Sequence, residues 1–503
     1  MDRFTVRRVA AATTLPGFLA GFLVGSLAIA GSAVAATNAE IPVTTSSQAA
    51  RMDFIAGQAA LDRGHASQAN ELFRAAVGAD PDFTYGWYNL AVASFSTEEF
   101  SASLKKAAAS AGKASAGERL LVEINQRFLD SNFESQLALA NQLVQQYPKS
   151  ARAWLTLAGV QAGLNKFAEQ RQSIAKAIEL DPALAVAPLA MGNSYLFNEP
   201  RDFAQSEKYF RQTIALQPGE STYWWSLGDV YRATNRLEEA RDQYKRATLL
   251  DPSDGIAQLK LGHVDSFLGH YDEARADYDR GIATAEPVNK PFYENYKMFT
   301  WVHAGDASTA VRELEKLARD VDTMSLPDDQ QTGAKVFALT NAVTVCLHTG
   351  MNDEAARVLD DLAAVLRANA KAVGTEEFSK IQESQIAYLQ GQLAAHKGDY
   401  AQAQSLAKKY SELVAGQKNP RKMENYHDLL GLIAYLQKKY PQAVAEYRQA
   451  DLTIIYNKYH LAMALEAAGQ GAEARKLFKE VATWNFNTVG FALVRKDAIA
   501  RAG

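Results

Sequence analysis

The sequence predicts an all-α fold, a right-handed superhelical solenoid of antiparallel helix pairs, and three observations carry that prediction. A skeleton of small, aromatic and proline positions recurs at intervals of about 34 residues, a period that belongs to helical repeat arrays. The chain is alanine-rich with only 14 prolines in 503 residues, which favours helix over strand. Its composition, 48% hydrophobic and 22% charged, supplies ample core material. Length alone suggests several domains of ~150 residues, but in a solenoid each pair buries its apolar face on its neighbours, so one array replaces several cores.

In chain order, residues 1–35 read as an export signal. Arg3, Arg7 and Arg8 precede an apolar stretch from Val9 to Ala36 that ends in Ala33-Val34-Ala35, small residues spaced for cleavage. Cleavage after Ala35, or after its neighbour Ala36, leaves no further membrane span and predicts a periplasmic or secreted protein. The same stretch exceeds the ~20 residues that cross a bilayer, so retention as an inner-membrane anchor is the alternative. Arg7-Arg8 also admits a twin-arginine route, although Val9-Ala10 departs from its usual pattern. No cysteine stands at the junction, which excludes the usual lipoprotein anchor, and the single Cys346 excludes an intrachain disulfide. Loss of Asp2, Arg3, Arg7 and Arg8 moves the formal charge from −4 to −6. That mild acidity argues against nucleic acid or anionic membrane as partner.

Residues 36–49 are polar around Pro42, Thr44, Thr45, Ser46 and Ser47, and read as a flexible linker. A regular array follows over 50–288. Its first unit has Gly57, Ala69, Phe73, Ala76 and Pro81 in register, and the unit from Ala151 has Trp154, Leu157, Phe167, Ala177 and Pro182. The next carries Gly192, Tyr195, Phe210 and Pro218, with two extra residues around Pro200 that lengthen its inner turn. The unit from Gly255 supplies Leu261, Gly262, Gly269, Tyr271, Ala274 and Tyr278, while the units from Thr84 and Gly117 are degenerate.

An irregular array spans 289–483, with inter-helix turns expected at Gly305-Asp306, Gly350-Met351, Gly398-Asp399, Lys438-Lys439 and Gly469-Gln470. The wider spacing there implies long helices or loops, with loop tips at Ser325-Leu326-Pro327-Asp328-Asp329 and Ala372-Val373-Gly374-Thr375. Residues 484–503 read as a helix capping the last unit.

The unit from Ser221 contains YWWSLGDVYRATNRLEEARDQYKRATLLDP, Tyr223 to Pro252. Trp224, Leu227, Gly228 and Tyr231 share one helical face; Ala240, Tyr244 and Ala247 share another. This resembles the tetratricopeptide repeat, and the resemblance covers roughly residues 50 to 483. It implies that the first helix of each unit lines a concave groove that takes a protein or peptide partner. On that reading the partner-binding candidates are Tyr85, Tyr88, Phe95, Asn193, Trp225, Asp229, Arg232 and His263, with Val92 and Phe197 beside them. Members that clamp a chaperone's terminal carboxylate carry a lysine ahead of the asparagine; here Gly192-Asn193 matches but Leu189 replaces the lysine, so that specialisation is not supported.

Searched for chemistry, the sequence has no phosphate loop, no HExxH, no GxSxG elbow and no CxxC. His263 and His270 fall on different elements, Cys346 sits in the apolar stretch VTVCL as a packed thiol, and the acidic pairs Asp328-Asp329 and Glu376-Glu377 read as solvated loop charges. No catalytic, cofactor or metal site is therefore expected. The function that follows is a noncatalytic interaction scaffold of the bacterial cell envelope; the alternative is an enzyme, or an accessory subunit of one, with a dispersed site in the second half.

Overall fold

The computed structural model describes residues 40–285 and 287–503, so the signal expected at 1–35 lies outside the described residues. These hold 25 α-helices and no strand. Helix α1 (Gln48–Asp62) pairs with α2 (Ala66–Ala79), α3 (Thr84–Val92) with α4 (Thr97–Ser110), α5 (Ala116–Leu129) with α6 (Phe133–Gln146), and α7 (Ala151–Gly163) with α8 (Phe167–Leu180). Next come α9 (Val186–Phe197) and α10 (Phe203–Leu216), α11 (Ser221–Ala233) and α12 (Leu237–Leu250), α13 (Gly255–Leu268) and α14 (Tyr271–Thr284), and α15 (Lys290–Ala304) and α16 (Ala307–Asp320). The series continues with α17 (Asp328–His348) and α18 (Asn352–Val373), α19 (Glu376–His396) and α20 (Tyr400–Val414), α21 (Glu424–Leu436) and α22 (Tyr440–Tyr447), and α23 (Ile455–Ala467) and α24 (Gly471–Ala482). A lone α25 (Val489–Ala502) closes the chain.

One local device makes most of the pairs. Where α13 ends, Gly269 adopts φ +88° and the next amide, His270 N, donates back to Asp265 O, capping the orphan carbonyls with the six-to-one bond of a Schellman turn. The same back-bond recurs at Asp306 to Trp301, Met351 to Cys346, Asp399 to Ala394, Lys439 to Ala434 and Gln470 to Leu465, which are the five turns the sequence places in its second half. Four of them use glycine; Lys438 takes the left-handed conformation at φ +60° despite its side chain. Between α9 and α10 the turn is longer, residues 198–202, as the extra residues around Pro200 require.

Small residues then admit the partner helix. A Cβ added at Gly57 would meet Phe73 at 2.8 Å, at Gly192 it would meet Phe210 at 2.5 Å, and at Gly431 it would meet Tyr447 at 2.7 Å. Each of those rings is buried, so the glycine of the first helix is the slot for the aromatic of the second. In the irregular half the spacing stretches because α17, α18 and α19 run to 21, 22 and 21 residues. Asp328 and Asp329 begin α17 and Ala372 and Val373 end α18, so of the two expected loop tips only Ser325-Leu326-Pro327 and Gly374-Thr375 lie between helices.

The chain divides into two compact units, with the division between Val230 and Tyr231 inside α11. In the first, the stretch expected as a linker over 36–49 is docked in its described part. Ile41 is buried, Thr44 N donates to Glu118 Oε1 at 2.9 Å, and Ser150 Oγ donates to Glu40 Oε2 at 2.6 Å. Glu118 also closes a capping box with Ser115, so the segment is tied to helix N-termini that need acceptors. In the second unit, α25 packs on α24 and α23 as a cap should, and also on α15 and α17.

Candidate functional site

Polar side chains of the first helices gather inside each unit. In the first unit, Arg152 at the start of α7 donates from Nη2 to Asp62 Oδ2 at 2.8 Å and from Nη1 to Oδ1 at 3.2 Å, and both residues are buried. Tyr223 of α11 donates to the carbonyl of Asp62 at 3.4 Å, and Glu220 pairs with Arg63 at 3.4 Å and lies 3.5 Å from His65. Within this unit the end of α1 is therefore met by the starts of α7 and α11. Loss of water holds the Asp62 carboxyl up at about 6 despite the neighbouring guanidinium, and pushes Arg152 down for the same reason.

This convergence reassigns two expected groove anchors. Tyr85 and Tyr88 are core residues: the Tyr85 ring lies 4.8 Å from Phe54 and 5.9 Å from Tyr88, and both are almost wholly buried. The face of α3 expected to be open is covered by α1 packing against it. Asp229 is buried as well. Phe95 is 51% exposed, beyond the end of α3, while Asn193 and Trp225 are half-buried on α9 and α11.

In the second unit the expected candidates Arg232 and His263 face a segment of the chain itself. Residues 484–488 run without regular secondary structure before α25, with Asn485 in the left-handed region at φ +52°. Arg232 donates from Nη1 to the carbonyl of Asn485, and the Asn485 amide donates back to Arg232 O at 3.2 Å and to Asn235 Oδ1 at 2.8 Å. The Arg232 guanidinium lies 4.6 Å from the centre of the Phe486 ring. Two residues on, Asn487 Nδ2 reaches Tyr278 Oη at 2.9 Å and His263 Nδ1 at 3.1 Å, while His303 Nε2 donates to Asn487 Oδ1 at 3.2 Å. Both asparagines are buried.

The second unit also carries an ordered row of histidines. Each first helix from α13 to α23 holds one: His263, His303, His348, His396, His427 and His460. His348 Nδ1 lies 2.9 Å from Tyr456 Oη, whose ring is 4.3 Å from that of His460. Burial pushes His303 down to about 4 and His460 to about 3, and lowers His263, His348 and His396 in the same direction. Beside them Asp428, buried on α21, accepts from Tyr388 Oη at 2.6 Å, and desolvation raises its carboxyl to about 6. At neutral pH these five imidazoles are uncharged, and His263, His303 and His348 act as hydrogen-bonding groups. Cys346 is fully buried, its thiol pushed up to about 12, as a packed side chain. Among the described residues no three His, Cys, Asp or Glu side chains are grouped to hold a metal.

Sequence reading missed Asn485 and Asn487, which carry no motif. The histidine row is not apparent in the sequence either, because unequal helix lengths hide its one-per-pair spacing.

Comparison with known proteins matches tetratricopeptide repeats at residues 56–118, 151–184 and 189–255. The chain is 26% identical over 179 residues to anaphase-promoting complex subunit 3 of Schizosaccharomyces pombe, covering 36% of this chain and 26% of that protein. It is 25% identical over 229 residues to the peroxisomal targeting signal receptor of Kluyveromyces lactis, covering 45% and 40%. It thus spans about a quarter to two fifths of the length of these relatives. Among solved structures, YrrB, a TPR protein with an unusual peptide-binding site, aligns at TM-score 0.28 and 18% identity, over 36% of this chain and 91% of that one. Repeats matched at three places, on an all-helical chain of antiparallel pairs, make this a tetratricopeptide repeat protein.

Proposed function

We propose that the chain is a noncatalytic protein-protein interaction scaffold of the bacterial cell envelope, exported by its first 35 residues and holding a peptide segment or partner protein against its first helices. Tetratricopeptide repeat proteins generally mediate protein-protein interaction. The named relatives, a subunit of a large complex and a receptor for a targeting signal, belong to that class of work. The observation that carries the reading here is residues 484–488: helices of the second unit take up a non-helical segment through an arginine and two histidines of first helices, a tyrosine of a second helix and a cation-aromatic contact. Such groups bind backbone carbonyls and amide side chains without chemistry. With that position filled by the chain itself, a partner has the candidate residues still at the surface, Phe95, Asn193 and Trp225.

The test is a photo-crosslinking residue placed at 95 or 193 in intact cells, followed by mass spectrometry. One defined envelope protein captured at both positions is expected, together with a mature N-terminus near Ala36. Cross-links to cytosolic proteins only, on a chain that keeps Arg7 and Arg8, would overturn the localisation and with it the partner class.

A further inference from the structure

Asn487 is held between two imidazoles, and its hydrogen bonds depend on their charge. Its Oδ1 accepts from His303 Nε2, and its Nδ2 donates to Tyr278 Oη and His263 Nδ1. The last contact needs the lone pair of a neutral ring, since a proton on Nδ1 sets donor against donor at 3.1 Å. The groups around both rings offer no counter-charge. His263 is faced by the Tyr278 hydroxyl of α14 at 2.6 Å, by the Tyr296 ring of α15 at 4.8 Å, and by Arg232 of α11, which Tyr244 of α12 holds from behind. Lys260 on its own helix and His303 on α15 complete that set. His303 is faced by the rings of Phe267 at 5.6 Å and Phe491 at 6.3 Å, by Arg495 of α25, and by Tyr271 of α14, which donates to its carbonyl. None of these groups is a carboxylate, and Arg232, Lys260 and Arg495 are cations. Asp265, two residues along α13 from His263, is engaged by Arg241 and His270. A proton on either buried ring therefore meets like charge and lost water together.

We propose that residues 484–488 are an acid-opened latch on the second unit: protonation of His263 and His303 drives Asn487 off the helices and uncovers Arg232 and both imidazoles to a partner. The latch rests on the reading of the first helices as the partner-bearing elements, and makes part of them available only in acid. Its sign follows from linkage. In the open state the histidines take a proton near their ordinary 6.5, whereas closed His303 does so only at about 4. Closure is therefore fully favoured above 6.5 and weakens as pH falls towards 4. At pH 5 the ratio of open to closed should rise about thirtyfold through His303 alone.

Fluorine NMR of the full mature chain labelled with 5-fluorotryptophan tests it, because Trp484 lies in the latch with its ring 5.0 Å from Phe486 and 5.6 Å from Phe491. Its signal, assigned with Trp484→Phe, should move to the position of solvated tryptophan between pH 7 and pH 4.5. The signals of Trp87, Trp154 and Trp301 should stay. Asn487→Asp supplies the missing counter-charge, so its latch should remain closed at pH 5, where the wild type opens. A merely structural asparagine gives the reverse, a latch weakened at every pH. Should that variant not fold, the pair His263→Asn and His303→Gln, which keeps an acceptor and a donor without titrating, should likewise stay closed. A Trp484 signal unmoved at pH 4.5, movement of all 6 tryptophan signals together, or wild-type opening in the variant that folds would each overturn the latch. Capture at positions 95 and 193 is read separately, so the latch can fail while the scaffold reading stands.

Discussion

Arg152 and Asp62 form a buried, two-bonded ion pair across 90 residues of sequence, tying the start of α7 to the end of α1. For both groups the cost of losing water is the largest influence on the charge, ahead of their mutual attraction. The pair therefore fixes which helices meet more than it adds stability. Asp62→Ala should destabilise the first unit by about 3–5 kcal/mol by leaving a buried guanidinium alone. The double change Asp62→Leu with Arg152→Met should lie nearer the wild type than either single change. Denaturant unfolding of the four proteins measures the coupling, and additive losses would contradict this account.

The slot between helices of a pair makes a second prediction with an internal control. A Cβ on Gly262 would stand 3.0 Å from Tyr278 Cζ, whereas one on Gly333, within α17, would touch nothing within 4 Å. Gly262→Leu should cost about 1–3 kcal/mol by overpacking. Gly333→Ala should gain roughly 0.5–1 kcal/mol from helix propensity alone. Opposite shifts in melting temperature are expected; a shared sign would mean the slot does not set the pair spacing.

Acid stability should carry the mark of the histidine row. His460, held at about 3 against an ordinary 6.5, is neutral in the folded chain at pH 5, where an unfolded histidine is protonated. Unfolding there takes up a proton, so its contribution is lost as pH falls from about 6.5 towards 3. Asp428 has the opposite sign. Raised to about 6 from 3.8, it holds a proton in the folded chain that the unfolded chain releases, so its contribution is present below 3.8 and lost as pH rises through about 6. Guanidinium midpoints should thus fall less between pH 7 and pH 5 in His460→Gln than in the wild type. They should fall less between pH 5 and pH 8 in Asp428→Asn. Profiles parallel to wild type would place these groups in contact with water.

What the sequence reveals follows from which forces are local. Turns at Gly269, Gly305 and Gly350 are legible because a left-handed residue and its back-bond involve only six positions. Glycine-aromatic pairs such as Gly57 and Phe73 are legible because their spacing is fixed within one helical hairpin. The groove was not. Whether Tyr85 faces water depends on Phe54 from the preceding pair, and Arg232 meets Asn485 only because the chain returns after 253 residues. Arg241 on α12 is likewise held against Asp265, 24 residues on in the next pair. Contacts of that range leave no periodic trace.

Partner capture should therefore depend on fewer residues than the sequence implies. Phe95→Ala and Asn193→Ala remove side chains that touch little of the core, so helicity and melting temperature should stay near wild type while capture falls, by at least about 2 kcal/mol if Phe95 is an anchor. Tyr85→Ala should instead lower the melting temperature, since a buried aromatic truncated to alanine costs about 3–5 kcal/mol. Glu238 and Lys245 on α12 are both exposed and serve as controls. Pull-down of the cross-linked partner with each variant, read beside circular dichroism, separates the two effects. Loss of capture in the Glu238 and Lys245 variants equal to that in Phe95→Ala would move the binding face to the second helices.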